Sequence, residues 1–499
     1  MNAAHLLVEI ELAHPLHLYR DAFPVARGGF VLDGGDFTLL GAEPVLEFRA
    51  FRNHRDDDRG ARPMSSRVVV EGSSPLLAGT PLRADVSDPL EVLRALMEAH
   101  AVDLPRDRPM PLLGGAVGYV GYETAQTLER LPALERPALG LPDVALFFHD
   151  WVLGRSRRTG RTFLSIVGRG PSARAADDRA EQTFTRLSSL LSSFRPVPAA
   201  THAPAPGRAP AFVALTPRPT YLEHVRTAQR HIEQGDAFEI CLTHRLDAKL
   251  DGDPFALFQH LRANNPAPYA AFLDLPEASI VSSSPERFLS LSAARVAESR
   301  PIKGTRPRGR TPADDARLAA DLAVSAKDRA ENTMIVDLVR NDLGRVCKLG
   351  SVETPSLFEV ERHPTVHQLV STVRGVLDDD RDAIDLLRAC FPPGSMTGAP
   401  KIEAMTILER LEPTERGVYS GALGWLDYGG TMDLSVVIRT IIAREGRAHV
   451  HVGGAIVSDS EPAAEHEEAM HKARALLEAL AAVAAPAEAA CSASAEHHA

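Results

Sequence analysis

Three groups of residues in the C-terminal half combine types and spacings that could do chemistry on a small anion. Residues 300 to 309 read Arg-Pro-Ile-Lys-Gly-Thr-Arg-Pro-Arg-Gly, and their one lysine, Lys303, lies between Pro301 and the pair Gly304 and Thr305. Proline presets the backbone before it, and glycine lets the chain approach a ligand after it. With Arg300, Arg306 and Arg308 nearby, clustered positive charge should ease proton loss from the ammonium, making Lys303 a candidate amine nucleophile. A solvated basic turn is the alternative.

The second group is acidic. In "AKDRAENTMIVDLVRNDLGRV", Asp328 and Glu331 stand three apart and share a helical face. In "SDSEPAAEHEEAMHKA", Ser460 can cap and Pro462 suits a first turn, with Glu465, Glu468 and Lys472 on one face. Two helices presenting carboxylates can share one Mg²⁺, which takes hard oxygen ligands and keeps waters for its substrate. Two solvated amphipathic faces are the competing reading.

The third group would hold and protonate a substrate. Arg439 interrupts the apolar stretch "LSVVIRTII", which points to an anion, or to a structural salt bridge. Gly453 and Gly454, and the "GSMTG" run with Ser395 and Thr397, offer backbone N–H groups and hydroxyls for a carboxylate. His367 lies in an apolar strand, where a satisfied core histidine is the commoner case. Glu286 follows a proline in "SSSPERFLSL" and can act as a general acid if its surroundings raise its pKa; a surface glutamate is the alternative. Together these groups imply a site for a small, multiply anionic substrate.

The elements that must position them follow from the pattern along the chain. At 499 residues it is long enough for two domains or one elaborated core. The net charge of −11 argues against non-specific nucleic-acid binding. Cys241, Cys347, Cys390 and Cys491 are too scattered for a zinc or disulfide framework. A reducing compartment is expected. With no signal-peptide pattern and no apolar run approaching about 18 residues, a soluble cytoplasmic chain with no membrane partner is expected.

Residues 1 to 50 read as short strands, and a helix is predicted from Asp88 to about Val102. A hairpin should turn at Arg158-Thr159-Gly160. The Pro/Ala-rich stretch 194–212 reads as a linker between an N-terminal region, 1–193, and a catalytic domain, 213–482. The tail 483–499 reads as disordered. After the linker, helices are predicted over about 218–234, 312–346, 382–390 and 401–411 and from about Glu461, with strands and long hairpins between them. That mixture predicts an α+β or layered α/β fold, with β-sheets flanked by helices, rather than a doubly wound sheet.

Seven segments, "SSSPERFLSL", "RPIKGTRPRG", "DRAENTMIVDLVRNDLGRV", "FPPGSMTGAPKIEAM", "GVYSGALGW", "VVIRT" and "DSEPAAEHEEAMHKA", resemble in content and order those of the chorismate-utilising enzymes, over about residues 215 to 480. The N-terminal region is similar to the family's more variable N-terminal part, as in anthranilate synthase component I, through "GGAVGYVGYE". The resemblance implies a layered fold with chorismate and Mg²⁺ in a central cleft. By motif, Glu331 and Glu468 would hold the metal, with Asp328 and Glu465 as further or water-mediated ligands. Arg439, Tyr419, Gly453, Gly454 and Lys472 would bind carboxylates, and Thr305, Ser395 and Thr397 would lie at the substrate. His367 matches the family's active-site histidine, and Glu286 its general acid.

Within the family, "PIKGT" resembles the aminodeoxychorismate synthases, whereas anthranilate synthases usually carry alanine where Lys303 stands. Water-using members place a base lysine where this chain has Glu239. The combination implies an aminodeoxychorismate synthase component I on the route to p-aminobenzoate, for folate or a secondary metabolite. An anthranilate synthase large subunit is the alternative. A silent chorismate-binding subunit is disfavoured by the intact Lys303, Glu286, His367 and four carboxylates. The sequence shows no G-x-C-x-G nucleophile elbow, so ammonia is expected from a separate glutamine amidotransferase subunit. The stretch "FTLLGAEP" departs from the "LLES" type of tryptophan-sensing members.

Overall fold

The computed structural model describes residues 2–12, 16, 19, 22–23, 27–53, 63–74, 77, 80–193 and 211–483. Most of the predicted linker and all but the first residue of the predicted tail lie outside the described residues. Two large antiparallel sheets, each of 12 strands, carry helices on their faces. This is the layered α/β arrangement expected.

The regions on either side of the linker share both sheets. In the first, Gly29–Gly34 pairs with Tyr269–Asp274, with Val31 opposite Phe272. In the second, Gly115–Val120 pairs with Ala422–Asp427, with Gly118 opposite Gly424. The small residues of "GGAVGYVGY" serve this seam: a Cβ on Gly115 would lie 2.1 Å from the Leu426 carbonyl oxygen. One hydrophobic cluster joins the sheets through Phe30, Ile280, Val117 and Phe148. A second packs Phe258 and Leu476, from the helices Pro254–Asn264 and Pro462–Val483, over Phe272 and Val450 of the first sheet.

Local signals explain most element ends. Asp88 caps the helix Pro89–His100 by accepting from the Leu90 N–H at 2.9 Å. The hairpin joins Trp151–Ser156 to Thr162–Gly170 as predicted. One expectation needs correction: residues 312–346 do not form a single helix. Ser325 adopts an extended backbone between Pro312–Val324 and Ala326–Gly344, and its hydroxyl accepts from the Asp328 N–H. A serine N-cap competing with helix continuation accounts for the break. It also sets Asp328 and Glu331 in the first two turns of a new helix.

Beneath the cleft lies Arg416, 1% exposed. Its guanidinium donates to Glu412 at 2.7 and 2.8 Å, to the Met396 carbonyl at 2.6 Å and to the Cys241 carbonyl at 2.7 Å. Glu412 also accepts from the N–H and hydroxyl of Thr243, each at 2.9 Å. Removing the cation would leave Glu412 buried and unpaired. Arg416→Leu is therefore expected to destabilise the protein by about 3–5 kcal/mol, read as a lowered urea midpoint.

Candidate active site

The site forms where an edge of each sheet meets two helix N-termini. The strand Glu239–Lys249 of the first sheet lies beside Arg447–Ile456, with Thr243 opposite Gly453 and Leu242 opposite Gly454. The strand Ile302–Pro307 of the second sheet pairs with Val366–Val376. Over them come the helices Ala326–Gly344 and Pro462–Val483.

Lys303 is at the centre. Its side chain is 10% exposed, and Nζ donates to Glu239 Oε1 at 2.6 Å. Burial alone would push this ammonium down, but Glu239 and then Glu331 outweigh burial and hold it above the usual lysine value. This corrects the expectation that neighbouring arginines ease its deprotonation. Arg300 pairs with Glu361, Arg306 with Asp321 and Asp328, and Arg308 with Asp315, so each is neutralised elsewhere. Gly304, at φ +86°, passes the chain under the second helix, where a Cβ would lie 2.7 Å from Asp328 Cγ.

Glu286, between the strands Ser279–Ser284 and Arg287–Leu291, is 5% exposed. Burial pushes its carboxyl up to about 7, against the Ser395 hydroxyl, Lys303 and the Ile302 N–H. Glu331 is likewise pushed up to about 7 by burial, which Lys303 only partly offsets. Burial also raises Glu465, against the Ser460 hydroxyl that donates to it at 2.7 Å. Glu468 is lowered, chiefly by Lys472, which lies 2.8 Å away and also donates to the Gly453 carbonyl at 3.0 Å. Glycine at 454 leaves room for this helix: a Cβ there would stand 3.2 Å from Glu465 Oε2.

Between the two acidic helices lies Lys327, a residue the sequence reading missed. Its Nζ is 3.9 Å from Glu331 and 4.0 Å from Glu465. Its i,i+4 spacing to Glu331 was the available signal. One ammonium thus bridges carboxylates from both helices. Among the described residues no three potential ligands already stand at metal-binding spacing. The donor set nevertheless fits a hard divalent cation: oxygen-only, drawn from two helices, and already drawing one ammonium between them.

Arg439 does not sit within a strand, as the sequence implied. It occupies the break between Met432–Val436 and Thr440–Arg444 with φ +52°. Its guanidinium makes no ion pair with a described residue, and burial lowers its pKa, with only Tyr419 and Glu468 opposing from a distance. A desolvated, unpaired cation is costly, so the site is prepared for an anion. Tyr419 stacks on His451 with ring centroids 5.2 Å apart.

The remaining sequence candidates have local surroundings of their own. His367 is fully buried, and its Nε2–H donates to Asp315 of the helix Pro312–Val324 at 2.9 Å. Asp328 is engaged by Arg306 at 3.0 Å. The Thr397 hydroxyl donates to the Gly394 carbonyl at 3.2 Å, within its own loop. Thr305 is exposed on the Lys303 strand. A separate cavity of about 520 Å³ between Leu77, Leu82 and Leu96 is mostly apolar, with Glu91 its one charged side chain, and offers no such chemistry.

Comparison with known proteins gives the same direction. The aminodeoxychorismate synthase of Streptomyces pristinaespiralis is 48% identical over 370 residues, 73% of this chain; the aligned part is 50% of that protein, so the chain spans about half its length. Anthranilate synthase component 1 of Streptomyces coelicolor is 42% identical, over 80% of this chain and 79% of that one. Aminodeoxychorismate synthase component 1 of Klebsiella aerogenes is 39% identical, over 89% of this chain and 95% of that one. No helix among the described residues is long and apolar enough to cross a membrane. The family described as chorismate binding enzyme matches residues 55–478, and with this cluster of lysine, arginine and carboxylates at its centre the chain belongs to that family.

Proposed function

We propose that the chain is an aminodeoxychorismate synthase of the component I type, converting chorismate and ammonia to 4-amino-4-deoxychorismate. The observation that carries this reading is Lys303, a buried amine within hydrogen-bond reach of one carboxylate and in the field of the acid Glu286. A site that adds ammonia directly to the ring has no use for an amine there.

Arg439, Tyr419, Gly453, Gly454 and Lys472 hold the carboxylates of chorismate, with Ser395, Thr305 and Thr397 bordering the ring. Lys303 bonds C2 while the C4 hydroxyl departs with a proton from Glu286. Ammonia then bonds C4, and the lysine leaves C2. The pyruvyl ether is retained. Glu331 and Glu468, with Glu465 and Asp328 near them, would hold Mg²⁺, which supplies charge to anchor the ring carboxylate. The ammonia comes from a separate glutamine amidotransferase subunit, consistent with the component naming of relatives.

The test is product analysis. Purified protein with chorismate, Mg²⁺ and ammonium should form aminodeoxychorismate, detected as p-aminobenzoate once a lyase is added. Fluorescent anthranilate and pyruvate without a lyase would instead mark an anthranilate synthase.

A pH dependence follows from Glu286. Its raised pKa keeps it protonated up to about 7, so the acid is present below that pH and lost above it. The kcat/KM with ammonia held constant should fall about tenfold per unit on the alkaline side. Glu286→Gln should remove that limb and lower kcat by about 10²-fold or more.

A further inference from the structure

We propose that Glu239 is the proton acceptor that frees the Lys303 amine for attack, and the donor that returns the proton when the lysine is expelled. The inference rests on the covalent-lysine reading above. Glu239 is fully buried, and Oε1 accepts from Lys303 Nζ at 2.6 Å. Its other oxygen, Oε2, is buried with no hydrogen-bond partner. The residue is clamped at a three-strand junction: Glu239 stands opposite Ala399, and Ile240 opposite both Gly398 and Ile456. The strand pairing fixes the backbone from which this carboxylate reaches Lys303.

The other groups facing Lys303 have different fates. Glu331 and Glu468 reach it from the two helices, Glu286 from the strand corner and Cys241 from the strand of Glu239. None of these lies within ion-pair distance; only Glu239 does. Glu331 and Glu468 belong to the metal set, and Glu286 must arrive protonated. Cys241 is buried and its thiol is held protonated by that burial.

The protons balance. The Lys303 ammonium gives one proton to the Glu239 carboxylate, and the neutral amine forms the bond to C2. The ring double bonds carry the electron pair to C4, whose C–O bond breaks, and hydroxide leaves as water with the Glu286 proton. Ammonia bonds C4 and the C2–N bond breaks, releasing Lys303 as neutral amine. The new ammonium on C4 returns a proton to Glu286, and Glu239 returns its proton to Lys303. Chorismate and ammonia become the amine and water, with the enzyme restored.

The test measures adduct formation on the full chain with chorismate and Mg²⁺ but no ammonia, by rapid quench and intact mass, across roughly pH 5 to 7, the range in which Glu286 keeps its proton. Internal transfer makes the wild-type rate independent of pH. In Glu239→Gln, which keeps an acceptor for the lysine, the amine must lose its proton to solvent. Its adduct rate should fall about tenfold per unit below the amine's own pKa. Glu239→Asp should keep the flat profile at a lower rate. An unchanged rate and flat profile in Glu239→Gln would overturn the proposal, as would a sloping profile in Glu239→Asp. No adduct in the wild type would overturn the functional reading and this inference with it, whereas the earlier outcomes sink the inference alone.

Discussion

Lys303→Ala should lose aminodeoxychorismate formation by about 10³-fold or more, because the group that opens C2 is gone. The substitution removes an interaction made only along the reaction, so kcat should fall far more than KM for chorismate rises. Anthranilate is expected as the minor replacement product, since the vacated space admits ammonia to C2. The variant also leaves Glu239 buried without its cation. A stability loss of about 3–5 kcal/mol is therefore expected, and urea unfolding separates it from the catalytic loss. Undiminished aminodeoxychorismate would falsify the covalent role.

The second large effect concerns the acidic helices. Glu331→Gln and Glu468→Gln should each lower activity by about 10²-fold or more and raise the Mg²⁺ concentration needed for half-activity. Glu331 and Glu465 already draw one ammonium, that of Lys327, into the gap between their helices. A divalent cation would meet a stronger field there. The double variant should cost little beyond either single change, because both remove the same bound ion. Chelation with EDTA should abolish turnover and added Mg²⁺ restore it. Full activity in chelator would contradict this part of the account.

The sequence made the elements legible wherever a local signal set them. Asp88, Pro462 and the apolar periodicities marked helices correctly, and Asp328 and Glu331 shared a helix as their spacing required. The break at Ser325 was missed because a serine mid-pattern is equally compatible with a continuing helix. What surrounds Lys303 was illegible for a different reason. Its arginine neighbours in sequence are drawn off by Glu361, Asp321 and Asp315, while its partner, Glu239, arrives from the other sheet, 64 residues away. Glu239 was read as the absence of a base lysine; its contact gives it a positive role. His367 was singled out by motif, but its hydrogen bond goes to Asp315, a pairing that depends on how the helix Pro312–Val324 docks. Arg416 drew no notice because an arginine in "PTERGVY" looks like loop polarity, and only tertiary packing buries it.

The account comes down to one bond, between a side-chain nitrogen and a ring carbon. Incubating the enzyme with chorismate and Mg²⁺ in the absence of ammonia, then digesting it and mapping the peptides by mass spectrometry, tests that bond directly. The account predicts a substrate-derived adduct on Lys303, discharged as aminodeoxychorismate when ammonium is added. An enzyme that makes aminodeoxychorismate at full rate while position 303 stays unmodified would contradict it.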